Sequence, residues 1–315
     1  MSFNDIINAI VAFFQSIWLF IAGIFTPAPV KPADPVIIPP PENPAIISFD
    51  DYSLVWSDEF DGNTLDASKW TGFRCNSEKS VVRQGGWWNT DFASVKNGNL
   101  NITAKYYPDG YKGGKAGWYS CGLCTTGLFE QTYGYFEVRC ILPKGVGLWS
   151  AFWMLPQDFS YTIGNGGTDG AELDVVESPD YHYKLSHNVN VVTTNIHIDG
   201  YGKEEQSKCV ATPFIEANDP YEEFNTYGVE WNEKEYIFYI NGKETGRLST
   251  GGVSDNPEYL LLSVEIAGEN GVANADRHGT GKITNTPKEN WPVEFKVDYV
   301  RVYQYNDLLA KAPAE

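Results

Sequence analysis

The sequence predicts an all-β protein, an antiparallel sandwich or barrel, and three observations predict it. After residue 46 helical periodicity is nearly absent, short alternating apolar segments recur in its place, and each is bounded by Gly, Pro, Asn or Asp. The 315 residues are enough for one large β domain, and 10 Trp, 19 Tyr and 17 Phe supply side chains that favour strands.

The elements follow in order. Residues 6–25, "IINAIVAFFQSIWLFIAGIF", form an apolar run about long enough to cross a bilayer as a helix. Asn8, Gln15 and Ser16 interrupt it, no Lys or Arg precedes it, and Asp5 stands where a signal peptide carries positive charge. A signal anchor, an atypical signal and an amphipathic surface helix stay open. The expectation is export or tethering through membrane contact of residues 6–25, which puts the remainder outside the cell or at its surface. Residues 26–45 are proline-rich, which forbids ladder pairing and favours an extended, semi-rigid linker. The domain is expected over 46–306, with a tail at 307–315. Within it, strands are expected at 99–107, 134–142, 147–155, 189–198, 235–240, 258–266 and 295–304, and Asn241-Gly242 predicts a type I′ hairpin.

Charge and cysteine content narrow the function. The net charge of −18 has the wrong sign for tracking phosphates, so nucleic acid is not an expected partner. Five cysteines, Cys121-x-x-Cys124 among them, lack a second CxxC or a nearby His pair, which favours buried thiols or an incidental disulfide over zinc.

The chemistry concentrates in "DGAELDVVESPD", residues 169–180, where Glu172, Asp174 and Glu177 stand within an apolar run. Ionised carboxylates avoid burial unless held there. Alternation puts Glu172 and Asp174 on one face of a strand and Glu177 on the other, unless an extra residue at Val175-Val176 forms a bulge and returns Glu177 to the first face. Crowded carboxylates push a pKa upward, which suits glycoside hydrolysis: one carboxylate attacks while one acid protonates the leaving oxygen. Calcium binding or a solvated edge strand is the competing reading. On neighbouring segments, Trp149 and Trp153 share a face with Ala151 between them, either leaving a slot for a flat ring or serving as two core tryptophans. Asn195 and His197 share a face, and Ser263 and Glu265 face the cleft or solvent while Leu260, Leu262, Val264 and Ile266 face the core.

These residues sit in longer stretches with a recognisable order. "WSDEFDGNTLDASKW", "GNLNITA", "YGYFEVRCILPKGVGLWSAFWMLP", "ELDVVES", "FNTYGVEWNEKEYIFYINGK" and "VDYVRVYQY" together resemble glycoside hydrolase family 16 over most of residues 52–305. The resemblance implies an antiparallel β-jelly-roll with a concave substrate cleft. It makes Glu172 the nucleophile, Glu177 the acid/base, Asp174 the residue that tunes the nucleophile, and His197 a cleft histidine beside the acid/base. "ELDVVE" matches the longer, bulged form of the family motif. Two departures stand out: Ser150 replaces a usual proline, and residues 74–91 differ from the laminarinase pattern, with Trp88 in a loop that could border the subsites. The family also implies a structural calcium ion, with Asp298 in a plausible segment, and no cofactor for catalysis.

The reading that results is a monomeric, retaining endo-β-glycanase acting on a β-1,3-glucan. The alternatives are an endo-β-galactosidase on galactan or mucin-type chains, and a non-catalytic glycan-binding module on the same fold. The same covalent intermediate also permits transfer to a sugar acceptor.

Overall fold

Alternating apolar side chains along the strands close a core between two antiparallel sheets. This is the architecture of a computed structural model that describes residues 41–157, 162–178, 191–213, 219–274, 282–286 and 288–311. The apolar segment 6–25, residues 26–40 of the proline-rich stretch and residues 312–315 of the tail lie outside the described residues. The described residues all belong to one unit, Pro35–Glu315.

The first sheet has seven strands, in the spatial order Gln206–Pro213, Val191–Ile198, Glu172–Ser178, Leu148–Pro156, Glu258–Ile266, Gly122–Cys124 and Thr71–Gly72. The second has eight. It runs Lys243–Leu248, Tyr236–Ile240, Asn225–Trp231, Gly134–Ile141, Glu294–Tyr305, Asn99–Thr103 and Ala93–Lys96, with Tyr52–Asp58 also pairing on Glu294–Tyr305. Period-two patterning decides which side of each strand is covered. Phe152, Met154, Leu260, Leu262, Val264 and Ile266 of the first sheet meet Phe136, Val138, Val229, Phe238, Val300 and Val302 of the second in the main core. Asn241 and Gly242 both adopt positive φ, 50° and 74°, as a type I′ hairpin requires.

The structure departs from the sequence expectation in three places. The segment 99–107 is two strands: Asn99–Thr103 belongs to the second sheet, whereas Lys105–Tyr107 joins a separate four-stranded sheet with Gly117–Ser120, Gly86–Trp88 and Val81–Arg83. Ala104 between them is buried in the core, so the chain changes sheets at a small residue. The alternation within Tyr52–Asp58 and Gln206–Pro213 is too irregular to mark them as strands, and their pairing partners define them. Last, Asn306–Leu309 forms a short helical turn, with the Asn306 N–H bonded to the Asp51 carbonyl at 2.9 Å, so the ordered fold continues into the expected tail.

At the other end, Ile47 N–H donates to the Gly242 carbonyl at 3.0 Å and Glu244 N–H to the Ala45 carbonyl at 2.8 Å, which caps the hairpin edge. A chain starting at residue 42 is therefore expected to fold with an unchanged melting temperature. One starting at residue 49 should lose about 2 kcal/mol, the worth of two backbone hydrogen bonds. Urea titration of the two truncations checks this, and equal midpoints would show that residues 45–47 add nothing.

Candidate active site

Glu172, Asp174 and Glu177 lie together on the outer face of the first sheet because the register slips once. Glu172 pairs with His197, Asp174 with Asn195 and Glu177 with Thr193, with the shift falling between Asp174 and Glu177. On the other side Trp153 pairs with Asp174 and Phe152 with Val176, again with a shift between them. Consecutive Val175 and Val176 both enter the core, and Glu177 emerges beside the other two carboxylates. The bulge stands where the sequence predicts it.

Each carboxylate has its own donors. Glu177 accepts from Trp149 Nε1 at 2.7 Å and from Asn195 Nδ2. Glu172 accepts the hydroxyl of Tyr201. Asp174, buried between them, lies 3.4 Å from His197 Nε2, a charge contact and not a well-formed hydrogen bond. His197 Nε2 is 3.9 Å from Glu172 Oε1, and its Nδ1 meets Glu205 Oε1 at 2.9 Å. Tyr201 and Glu205 escaped the sequence reading. Their signal was the polar turn "DGYGKEE" directly after the strand that carries Asn195 and His197.

The electrostatics follow from burial. Desolvation first, and the Asp174 charge second, push the Glu177 carboxyl well above its usual range. The same two causes raise Glu172, to about 8, against the opposing pull of His197 and Tyr201. Burial raises Asp174 as well, while His197 opposes it. For His197, burial alone would favour the neutral ring, but Asp174, Glu172 and Glu177 outweigh it and push the imidazole up to about 10. At neutral pH His197 is thus a cation set against the trio, and burial favours the protonated form of both glutamates, with His197 and Tyr201 pulling Glu172 back toward its ionised form. Two carboxyls held in such different surroundings can divide acid catalysis and nucleophilic attack between them.

Metal chemistry fits less well. Among the described residues, ligand atoms of Glu172, Asp174 and His197 lie within 4.8 Å of one another. A cation there would have to take the Glu172 and Asp174 oxygens that Tyr201 and His197 already approach, and would set its charge against a His197 ring that the three carboxyls draw toward its protonated form. Asp298, expected near calcium, is ion-paired with Arg139 at 2.6 Å, and that guanidinium packs over Phe224 at 4.6 Å. Calcium gathers 6–8 oxygen ligands, and a guanidinium on the carboxylate does not fit such a cage.

The aromatic expectations need correction. Trp153 is only 5% exposed, packed with Phe73, Tyr259 and Leu261, and its Nε1 donates to Ser263 Oγ at 3.1 Å. Trp88 is 2% exposed, and its indole N–H donates to the Val264 carbonyl at 2.8 Å. Neither offers an open ring for a sugar, because the loop carrying Phe73, Cys75 and Trp88 folds over this part of the sheet. Alternation told which face they occupy but not that a loop covers it. Trp149 stays half-buried, with its N–H on Glu177. Glu265 receives Arg83 Nε at 2.5 Å, and the same guanidinium lies over Trp88 at 5.2 Å. Cys75, Cys121, Cys124 and Cys140 are buried free thiols.

The chain also matches known proteins. Residues 53–305 match the family model described as β-porphyranase A–D, GH16 domain. A glucan endo-1,3-β-glucosidase A1 from Niallia circulans is 30% identical over 91% of this chain and 42% of its own length. A β-glucanase from Rhodothermus marinus is 27% identical over 81% of this chain and 86% of its own. The crystal structure of SCLam, a non-specific endo-β-1,3(4)-glucanase, superposes with a TM-score of 0.63 at 27% identity, covering 88% of this chain and 98% of that one. The chain spans only about two fifths of the first curated relatives it matches.

Two measurements test this description. Trp153→Ala should destabilise the fold by about 3–5 kcal/mol, as expected for a buried indole, and a normal melting temperature would return Trp153 to the open cleft. Glu258, fully buried with Ala171 N–H at 3.3 Å from its Oε1, is pushed up to about 8, by burial first. Its folded value lies above its ordinary 4.5, so its contribution to stability is whole below 4.5 and is lost progressively until the pH passes about 8. The urea midpoint should therefore fall from pH 5 to pH 8, and fall less in Glu258→Gln. Parallel curves would mean that Glu258 ionises as it does in the unfolded chain.

Proposed function

Because the chain belongs to glycoside hydrolase family 16, we propose that it is a retaining endo-β-glycanase that cleaves internal bonds of a β-1,3-linked glucan by double displacement. The observation that carries the mechanism is the bulge, which gives Glu172 and Glu177 a common face with Asp174 between them.

Each group has its step. Glu172 attacks the anomeric carbon as the glycosidic bond breaks, and Glu177 gives its proton to the departing oxygen. Glu177, now ionised, takes a proton from a water that displaces Glu172, regenerating both carboxyls. Trp149 and Asn195 hold Glu177 in place and stabilise it in its ionised half of the cycle. Asp174 and His197 lie together behind the nucleophile, where the Asp174 charge disfavours and the His197 charge favours the ionised form of Glu172.

The glucan assignment is supported by the relatives, among them a glucan endo-1,3-β-glucosidase and a β-glucanase. It is also supported by charge. Arg83, whose cation reaches Glu172, is paired with Glu265, and the chain carries −18 overall, which suits a neutral polymer better than a sulfated one. The second reading, an endo-β-galactosidase, is favoured by the porphyranase description of the matching family model. The apolar segment 6–25 supports work on a polymer outside the cell or at its surface.

Reducing-end assays on laminarin, mixed-linkage glucan, porphyran and mucin glycans separate these readings. The expected order is laminarin first, and cleavage of porphyran alone would replace glucan by galactan. Proton NMR of the first product should show the β-anomer, whereas an initial α-anomer is incompatible with the covalent intermediate. Glu172→Gln and Glu177→Gln should each lower kcat by at least roughly a hundredfold, the scale of a lost general acid or nucleophile. Near-normal turnover in either variant removes that residue from the chemistry.

A further inference from the structure

The turn after the histidine strand brings a tyrosine onto the nucleophile. Val191–Ile198 carries Asn195 and His197 onto the active face, and the chain then turns at Asp199 and Gly200, with φ of 64° and 75°. Positive φ at two successive residues is a sharp reversal that glycine tolerates and most side chains do not. The root of the turn is fixed. Asp199 is 4% exposed and accepts Gly164 N–H at 3.2 Å and Gln206 Nε2 at 3.2 Å. Glu205, at the far side of the turn, holds His197 Nδ1 at 2.9 Å. Between these anchors Tyr201 places its hydroxyl on Glu172 Oε2, yet the residue remains 59% exposed.

That combination is unusual for a tyrosine. A residue this exposed adds little to the core. The aromatic residues expected to grip the sugar are covered or engaged: Trp88 and Trp153 are buried, and the Trp149 N–H is on Glu177. Among the described residues, Tyr201 joins an exposed side chain to a direct bond with Glu172, as the half-buried Trp149 is bonded to Glu177.

We propose that Tyr201 is a catalytic residue of this site, its hydroxyl holding the attacking carboxylate of Glu172 and its open ring forming the wall against which the sugar at the cleaved bond is seated. The inference rests on the glycanase reading above. Oε1 of Glu172 lies on the His197 side and Oε2 under Tyr201. A hydroxyl donated to a carboxylate favours the charged form, which opposes the burial and the Asp174 charge acting on Glu172. In the first step Glu172 forms its bond to the anomeric carbon and becomes a neutral ester, while the leaving oxygen takes the proton of Glu177. Tyr201 keeps its own proton throughout. When water displaces the ester, the re-forming carboxylate recovers the tyrosine's hydrogen bond, so the hydroxyl assists the second step as well. The ring contributes as aromatic faces do in sugar sites, by covering the apolar face of a pyranose.

Two variants in the full chain separate the hydroxyl from the ring. Tyr201→Phe should lower kcat by roughly ten- to a hundredfold, the worth of one hydrogen bond to a charged group, with KM little changed. It should also move the acid limb of kcat/KM to higher pH. Tyr201→Ala should do the same and in addition raise KM for long glycans. Melting temperatures are measured alongside, and a ring this exposed should leave them unchanged in Tyr201→Phe. A wild-type kcat and acid limb in Tyr201→Phe overturns the role of the hydroxyl, and an unchanged KM in Tyr201→Ala overturns the wall. A second readout needs no substrate: carbon-13 NMR titration of Glu172 in glutamate-labelled protein, its signal assigned with Glu172→Gln. The Glu172 titration should move upward in Tyr201→Phe. If wild type cleaves no glycan but that movement is seen, the function has been misread while the Tyr201 contact stands. If it cleaves and no movement is seen, the Tyr201 proposal fails alone.

Discussion

Between Asp174 and Glu177 the strand takes one residue more than its neighbours, and the active face depends on that slip. With strict alternation, one of the two glutamates would point into a core filled by Phe152, Met154 and Leu262, where an ionised carboxylate has no partner. With the bulge, Val175 and Val176 fill the core in succession, and Glu172, Asp174 and Glu177 share the outer side. Two apolar residues in a row are what permits the slip, since each finds a buried place. The same shift aligns Asn195 with Asp174 and His197 with Glu172, so the donors arrive in register with the acids.

Crowding three carboxylates is unfavourable, and the surroundings show how it is sustained. The site does not hold three free negative charges at neutral pH. Burial favours the protonated form of Glu177 and of Glu172, and the His197 cation sits against Asp174 and Glu172. The N–H of Trp149 and the amide of Asn195 wait on the acid that will later ionise. Repulsion is thus met by giving two otherwise similar glutamates different surroundings, which on the proposed reading suits one to give a proton and the other to attack. Glu172 and Glu177 differ mainly in who donates to them, and that difference comes from the strands and turn on either side.

The outer face of the first sheet is divided. One region carries the acids. The neighbouring region is covered by the loop that packs Phe73 and Trp88 against Trp153, Tyr259 and Leu261. That cover gives the indoles structural work and leaves the turn that bears Tyr201 and Glu205 to complete the polar region. Arg83 on the covering segment reaches back to Glu265, which ties the two regions together by charge.

Local pattern settled a good deal by itself. Period-two alternation in "EYLLLSVEI" assigned Leu260, Leu262, Val264 and Ile266 to the main core, Asn241-Gly242 specified its hairpin, and the odd spacing of Glu172 and Glu177 within an apolar run pointed to a bulge at Val175-Val176 as the way to bring them to one face. These are properties of a few adjacent residues, so a sequence contains them in full. The tertiary structure decided whatever depended on segments distant in the chain. Alternation puts Trp153 on the outer face but cannot tell that Phe73, eighty residues earlier, lies over it. It cannot tell that Arg139 meets Asp298, or that Arg83 meets Glu265 across the sheet. Nor can it tell that Tyr201, in a turn with no periodicity, bends back onto Glu172. A side chain's face is fixed by the backbone repeat around it, whereas its partner is fixed only when the fold brings two distant pieces of chain together.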